Sequence, residues 1–166
     1  MQRNLLCAGL LSCLPVAILA SPDADLPVDQ VRVLKSERKL QLLSAGRVVG
    51  EFRVALGAHP SGHKVQEGDE RTPEGHYVLD YKKADSAFYK AIHISYPNAA
   101  DLASARQQGL SPGGQIMIHG QKNGLGWLSS LTQRFDWTNG CVALSNTDMA
   151  IVWQRVQAGT PIHLLP

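Results

Sequence analysis

Two residues of this chain have the right types for nucleophilic catalysis and sit in matching surroundings: Cys141, preceded by Gly140, and His119, followed by Gly120. A thiol attacks as thiolate, so it becomes useful near neutral pH when an imidazole and backbone dipoles stand beside it. His119 closes the apolar run Gln115-Ile-Met-Ile-His, and a strand end is a rigid place to present a ring. Gly120 lets the chain turn away and leaves a carbonyl that could accept the second ring N–H and fix the tautomer, the part a carboxylate plays in other triads. On the other side, Asn139-Gly140-Cys141 offers consecutive amide N–H groups that could hold an oxyanion, worth about 3–4 kcal/mol per donor in other acyl-transfer enzymes. Residue types alone leave two further readings open. A lone cysteine is commonly a small buried hydrophobe, and a histidine at a strand end is often structural.

The remaining cysteines, Cys7 and Cys13, lie in an N-terminal apolar stretch. Residues 1–20 carry one cation, Arg3, then an apolar run broken by Ser12 and Pro15, and end at Ala20-Ser21. That order is expected of a cleaved secretory signal, although Ile18 stands where a small residue is usual. Leu10-Leu-Ser-Cys13 loosely resembles a lipoprotein box, which would make Cys13 an anchor, but the apolar residues continue past it. As an uncleaved anchor the stretch is short, since a span needs about 20 apolar residues. The expected location is therefore periplasmic, with membrane contact only through the signal before cleavage. An exported protein pairs its thiols or avoids them, so a single thiol left in the mature chain points to a task for its sulfur.

The mature chain holds about 145 residues, enough for one domain with its own core. Its 16 Lys and Arg nearly balance 14 Asp and Glu, which argues against nucleic acid as a partner. Residues 21–27 read as a short polar linker and 28–166 as the domain. Alternation and β-branched residues predict strands over 28–34, 40–43, 48–56, 76–81, 91–96, 115–119 and 160–165, with a turn at Ala45-Gly46. Residues 59–75, poor in apolar side chains, read as a long loop of the kind that is often functional. Residues 98–108 read as a helix capped by Asn98 and stopped at Gly109. A second helix starts at Ser145 or Asn146 and runs to Gln157, with Met149, Val152, Trp153 and Val156 on its buried stripe. Residues 124–135 fit a loop carrying a helical turn, with Trp127, Leu128 and Leu131 on one side. Many short strands and two or three short helices imply a mainly β, sandwich or barrel-like single domain.

The blocks Ile116-Met-Ile-His-Gly120 and Trp137-Thr-Asn-Gly-Cys-Val-Ala-Leu-Ser-Asn-Thr-Asp148 resemble the signature of the L,D-transpeptidase catalytic domain, the YkuD-type family. Residues 68–80, with Arg71-Thr-Pro-Glu-Gly75, resemble its Arg-Thr-Pro-x-Gly loop, and the opening strands and 91–98 also match; the resemblance covers about 28–166. It implies a YkuD-type fold and a cysteine-dependent acyltransferase without metal or organic cofactor. Cys141 would be the nucleophile and His119 the general base and acid. The Gly120 carbonyl would orient the ring, and Asn139, Gly140 and Cys141 would lie at the oxyanion hole. The implied substrate is a peptidoglycan stem tetrapeptide, cleaved between meso-diaminopimelate and D-alanine through a thioester. An amine acceptor then gives a cross-link or an exchange. Many members carry arginine two residues after the cysteine where this chain has Ala143, so recognition of the substrate carboxylate is open. The same subgroup resembles hydrolases, so water as the second nucleophile gives an L,D-carboxypeptidase or an amidase releasing a wall-anchored lipoprotein. A silent wall-binding module is the third reading, but it would need neither Cys141 nor His119.

Further residues are assigned on this frame. Arg71 and Thr72 are candidates to contact the stem peptide, with an ion pair from Arg71 to Asp69 or Glu70 as the structural alternative. His93 and Tyr96 have opposite parity on one strand, so at most one of them faces a cleft. Trp137 and Thr138 are expected at the cleft wall. His59, His63 and His76 invite a metal reading, but no carboxylate or cysteine pattern completes a ligand set. Met149 and Trp153 belong to the core, and His163 is structural.

Overall fold

The computed structural model describes residues 26–166. The expected signal at 1–20, with Cys7 and Cys13, and most of the linker lie outside them. The strands are β1 (Gln30–Leu34), β2 (Lys39–Ser44), β3 (Arg47–Arg53), β4 (Gly75–Lys83), β5 (Ala91–Ile94), β6 (Met117–His119), β7 (Val142–Ala143) and β8 (Thr160–Leu165). The helices are α1 (Ala99–Gln107), α2 (Ser129–Thr132), which follows a 3-10 turn at Gly126–Leu128, and α3 (Asn146–Arg155).

The eight strands form one mixed sheet in the order β3-β2-β1-β8-β4-β5-β6-β7. Its two ends meet. Ala55, just past β3, donates to Ala143 O at 2.9 Å, and Ala143 N–H donates back to Ala55 O at 2.8 Å. The sheet thus curls into a barrel-like body, the mainly β architecture its alternating sequence implies. Alternation also builds the core: Val31 and Val33, Leu40 and Leu42, Ile92 and Ile94, and Ile162 and Leu164 all turn inward and are almost fully buried. Met149 and Val152 of α3 pack into the same cluster.

The caps are legible. Asn98 accepts from the amides of Ala100 and Asp101, while the Asp101 carboxylate accepts from Asn98 N–H, a complete capping box. Ser145 accepts from the Asp148 amide at the start of α3. One expectation changes. The strand expected over 115–119 begins only at Met117, because Gln115 adopts φ 56°, outside the β region. The stretch 124–135 does carry helical turns, and the side of it that bears Trp127 and Leu131 is exposed, at 77% and 51%.

The long loop between Arg53 and β4 is held by buried ammonium groups. Lys35 Nζ donates to Gly62 O, Thr72 O and Glu74 Oε1. Lys64 Nζ meets Asp69 Oδ1 at 2.7 Å with both side chains buried. Asp69 also accepts from the amides of Val65, Gln66 and Arg71, so one carboxylate organises the loop.

Candidate active site

The cysteine and the histidine come from adjacent strands. β6 and β7 run parallel with Ile118 opposite Val142, and both of these are fully buried. Their neighbours Met117, His119 and Cys141 therefore turn to the other face. There they line a cleft of about 270 Å³ together with Ser86, Phe88 and Trp137. His119 is buried, while Cys141 is half-buried at the wall.

His119 Nδ1 lies 2.6 Å from Gly120 O. A carbonyl can only accept, so Nδ1 carries the proton and Nε2 keeps its lone pair. The Phe88 ring stands 4.4 Å from the imidazole centroid and the Trp137 ring 5.9 Å. Burial among these rings pushes the His119 pKa down, with the Gly120 carbonyl acting in the opposite direction. Burial likewise pushes the Cys141 thiol up, opposed by the Met117 amide and the Lys64 ammonium. The Met117 N–H points at Sγ from 3.4 Å. Both directions favour a thiol beside a neutral imidazole at neutral pH rather than a standing ion pair.

The turn that carries Cys141 is rigid. Thr138 Oγ1 donates to Cys141 O at 2.8 Å and accepts from Gly140 N–H at 3.1 Å. Thr138 N–H bonds Leu56 O, and Thr138 O takes the Ala58 N–H, which straps the turn to the chain beyond β3. Gly140 has φ 118°, and a Cβ there would lie 2.5 Å from Arg71 O, so no larger residue fits. This corrects one expectation: the Gly140 amide is committed to Thr138 and does not face an oxyanion. The amides of Asn139 and Cys141 meet no acceptor among the described residues.

Trp137, Thr138 and Asn139 line the cleft as expected. Four other candidates do not. Thr72 is fully buried, accepting from Gly57 N–H through Oγ1 and offering its carbonyl to Lys35. Tyr96 is also buried, with its hydroxyl donating to Pro112 O at 3.1 Å. His93 stacks on Tyr81 at 4.6 Å and pairs with Asp80. Arg71 turns its guanidinium toward His63 O, and its amide, not its side chain, bonds Asp69. Each is spent on the scaffold and absent from the cleft wall. Ala143 is fully buried at the sheet closure and presents no side chain to a substrate.

Phe88, Met117 and Gln115 were not signalled by residue type. The Met117 contribution is a backbone amide, which any residue would supply, and Phe88 arrives from a distant loop. Among the described residues no group of three or more His, Cys, Asp or Glu is arranged to hold a metal ion. His76 instead stacks on His163 at 3.7 Å across β4 and β8, and His59 lies 3.5 Å from Glu70.

The model of the L,D-transpeptidase catalytic domain, YkuD, matches residues 29–164. YafK of Escherichia coli (strain K12) is 31% identical over 112 residues, covering 64% of this chain and 44% of that protein. The helical cell shape determining protein Pgp2 from Campylobacter jejuni superposes with TM-score 0.64 at 28% identity, covering 84% of this chain and 48% of that one. L,D-transpeptidase 3 from Mycobacterium tuberculosis shares the fold at TM-score 0.57 and 14% identity, covering 84% of this chain and 62% of that one. The chain thus spans about half the length of YafK and Pgp2.

Proposed function

The chain belongs to the YkuD family of L,D-transpeptidase catalytic domains, and from that premise we infer that it is a cysteine-dependent acyltransferase acting on peptidoglycan stem tetrapeptides. One observation carries this reading: Cys141 and His119 line one cleft, with Nδ1 held by Gly120 O so that Nε2 is the basic atom. Sγ attacks the carbonyl that joins meso-diaminopimelate to D-alanine as Nε2 takes the thiol proton. The oxyanion is met by the Cys141 amide, with the Asn139 amide beside it. On collapse the C–N bond breaks, Nε2 protonates the leaving D-alanine amine, and a thioester remains. An acceptor amine then attacks the thioester, gives its proton to Nε2 and releases the thiol. The N-terminal residues 1–20 would export the domain to the periplasm, where its substrate lies. Likeness to Pgp2, named for determining helical cell shape, agrees with a role in wall remodelling.

The test is incubation with defined tetrapeptide muropeptides, following products and intact protein mass. Cross-linked dimers that disappear in Cys141→Ala and His119→Ala are the expected result. Tripeptides without dimers would identify water as the second nucleophile and favour the hydrolase reading, an L,D-carboxypeptidase or an amidase releasing a wall-anchored lipoprotein. Neither product nor covalent adduct would overturn the enzyme reading.

A further inference from the structure

The carbonyl that holds His119 belongs to a peptide group whose other end is also held. Gly120 C=O and Gln121 N–H are the two ends of one planar unit. The carbonyl accepts from His119 Nδ1–H at 2.6 Å, and the amide donates to Asn146 Oδ1 at 2.8 Å. A further bond, from Gly120 N–H to Tyr89 O at 2.9 Å, fixes the preceding peptide. Because a backbone N–H needs an acceptor, the Asn146 side chain must present its oxygen there. Two glycines shape its seat. A Cβ at Gly120 would lie 2.8 Å from Asn146 Oδ1, and a Cβ at Gly126 would lie 2.5 Å from its Nδ2.

We propose that Asn146 is a positioning residue for the reacting pair, aiming and polarising the Gly120 carbonyl through the Gly120–Gln121 peptide. The line Asn146 Oδ1, peptide dipole, Gly120 O, His119 Nδ1–H points every dipole the same way, and each hydrogen bond strengthens the next. When Nε2 takes the thiol proton, positive charge appears on the ring, and the aligned chain stabilises it. Asn146 thereby does through a peptide what a carboxylate does directly in other triads. Its position is set by chain economy: it is the first residue of α3, and the stretch from Cys141 through β7 to the start of α3 carries both the nucleophile and this anchor. The surroundings leave the ring few other influences. Among the described residues, Cys141 is the one other titratable group lining the cleft, and Phe88 and Trp137 contribute rings.

The inference rests on His119 acting as base, but its readouts need no substrate. They are the imidazole tautomer and pKa of His119 by nitrogen-15 NMR, and the rate of Cys141 alkylation by iodoacetamide at pH 7. Asn146→Leu keeps the approximate shape without an acceptor, whereas Asn146→Asp keeps the acceptor and adds charge. In Asn146→Leu the His119 pKa is expected to fall by about half a unit to one unit, with alkylation slowed about three- to tenfold. In Asn146→Asp the pKa is expected to rise above wild type. A structural tie alone would move both variants in the same direction or neither, and that result overturns the proposal. Should Asn146→Leu fail to fold, Asn146→Asp decides by itself: a pKa at or below wild type refutes the positioning role.

Discussion

A thiol enclosed by aromatic rings and aliphatic chains holds its proton more firmly than one in water, and an enclosed imidazole sheds its proton more readily. Both hold here, for Cys141 and His119 respectively. The sign of each shift fixes a pH profile. His119 loses basicity only below its ordinary value of 6.5, since burial has moved it down. Cys141 ionises unaided only above its ordinary value of 9.0. Alkylation of Cys141 should therefore fall at acid pH below 6.5, stay level through neutrality and climb again past pH 9. His119→Ala should slow it at pH 7 by about 10²-fold, the lower range for a positioned general base. A wild-type plateau extending into acid would reveal a preformed ion pair and refute this account of the resting state. At this scale the candidate pair was readable from residue types and adjoining glycines, and the fold brings both residues to one cleft. The Met117 amide and the commitment of the Gly140 amide were not, because backbone groups carry no residue-type signal.

Among the elements, the loop 54–74 matters most, because it abuts the turn that carries Cys141 through Arg71 and Gly140. Asp69 is its organiser. Burial alone would raise its carboxyl, but the Lys64 ammonium and three backbone amides outweigh that and hold its pKa down at about 2. A depressed carboxylate contributes stability above its unfolded value, lost as pH falls from about 4 toward 2. Asp69→Asn should cost about 3–5 kcal/mol, because it leaves the Lys64 ammonium buried and unpaired. Urea melts at pH 7 check the value, and the gap to wild type should narrow as pH approaches 2. The strands were legible because alternation records which face is buried, and the helices because Asn98 and Ser145 cap as their types predict. The loop's interior was opaque. Lys35, Lys64 and Thr72 read as surface residues by type, and only three-dimensional closure makes them internal ties. Tyr96, a candidate through the family-like block 91–98, instead bonds Pro112 O inside the body.

For the whole molecule the decisive contact is the closure between Ala55 and Ala143, which joins the two ends of an eight-stranded order. Both residues are buried, and their mutual hydrogen bonds are 2.9 and 2.8 Å. Ala55→Pro removes one donor from this seam and should destabilise the fold by about 3 kcal/mol or more. Hydrogen exchange in that variant should quicken first around β7 and the turn at Thr138, and protection there equal to wild type would contradict the assignment. No periodicity announces such a seam, since it pairs two alanines from distant segments. The barrel-like character came from strand number and turn spacing, while its point of closure needed coordinates.

That seam also governs how a peptide can arrive. The short strand following Cys141 has β6 on one flank and Ala55 on the other, so no vacant main-chain edge remains there for an incoming chain to zip onto. A visitor must cross the barrel mouth and be gripped by side chains and isolated amides. Zippering demands a uniform run of one chirality, and this mode of entry does not. For the proposed substrate, a stem that mixes handedness and branches midway, the closed seam removes a demand that zippering would impose.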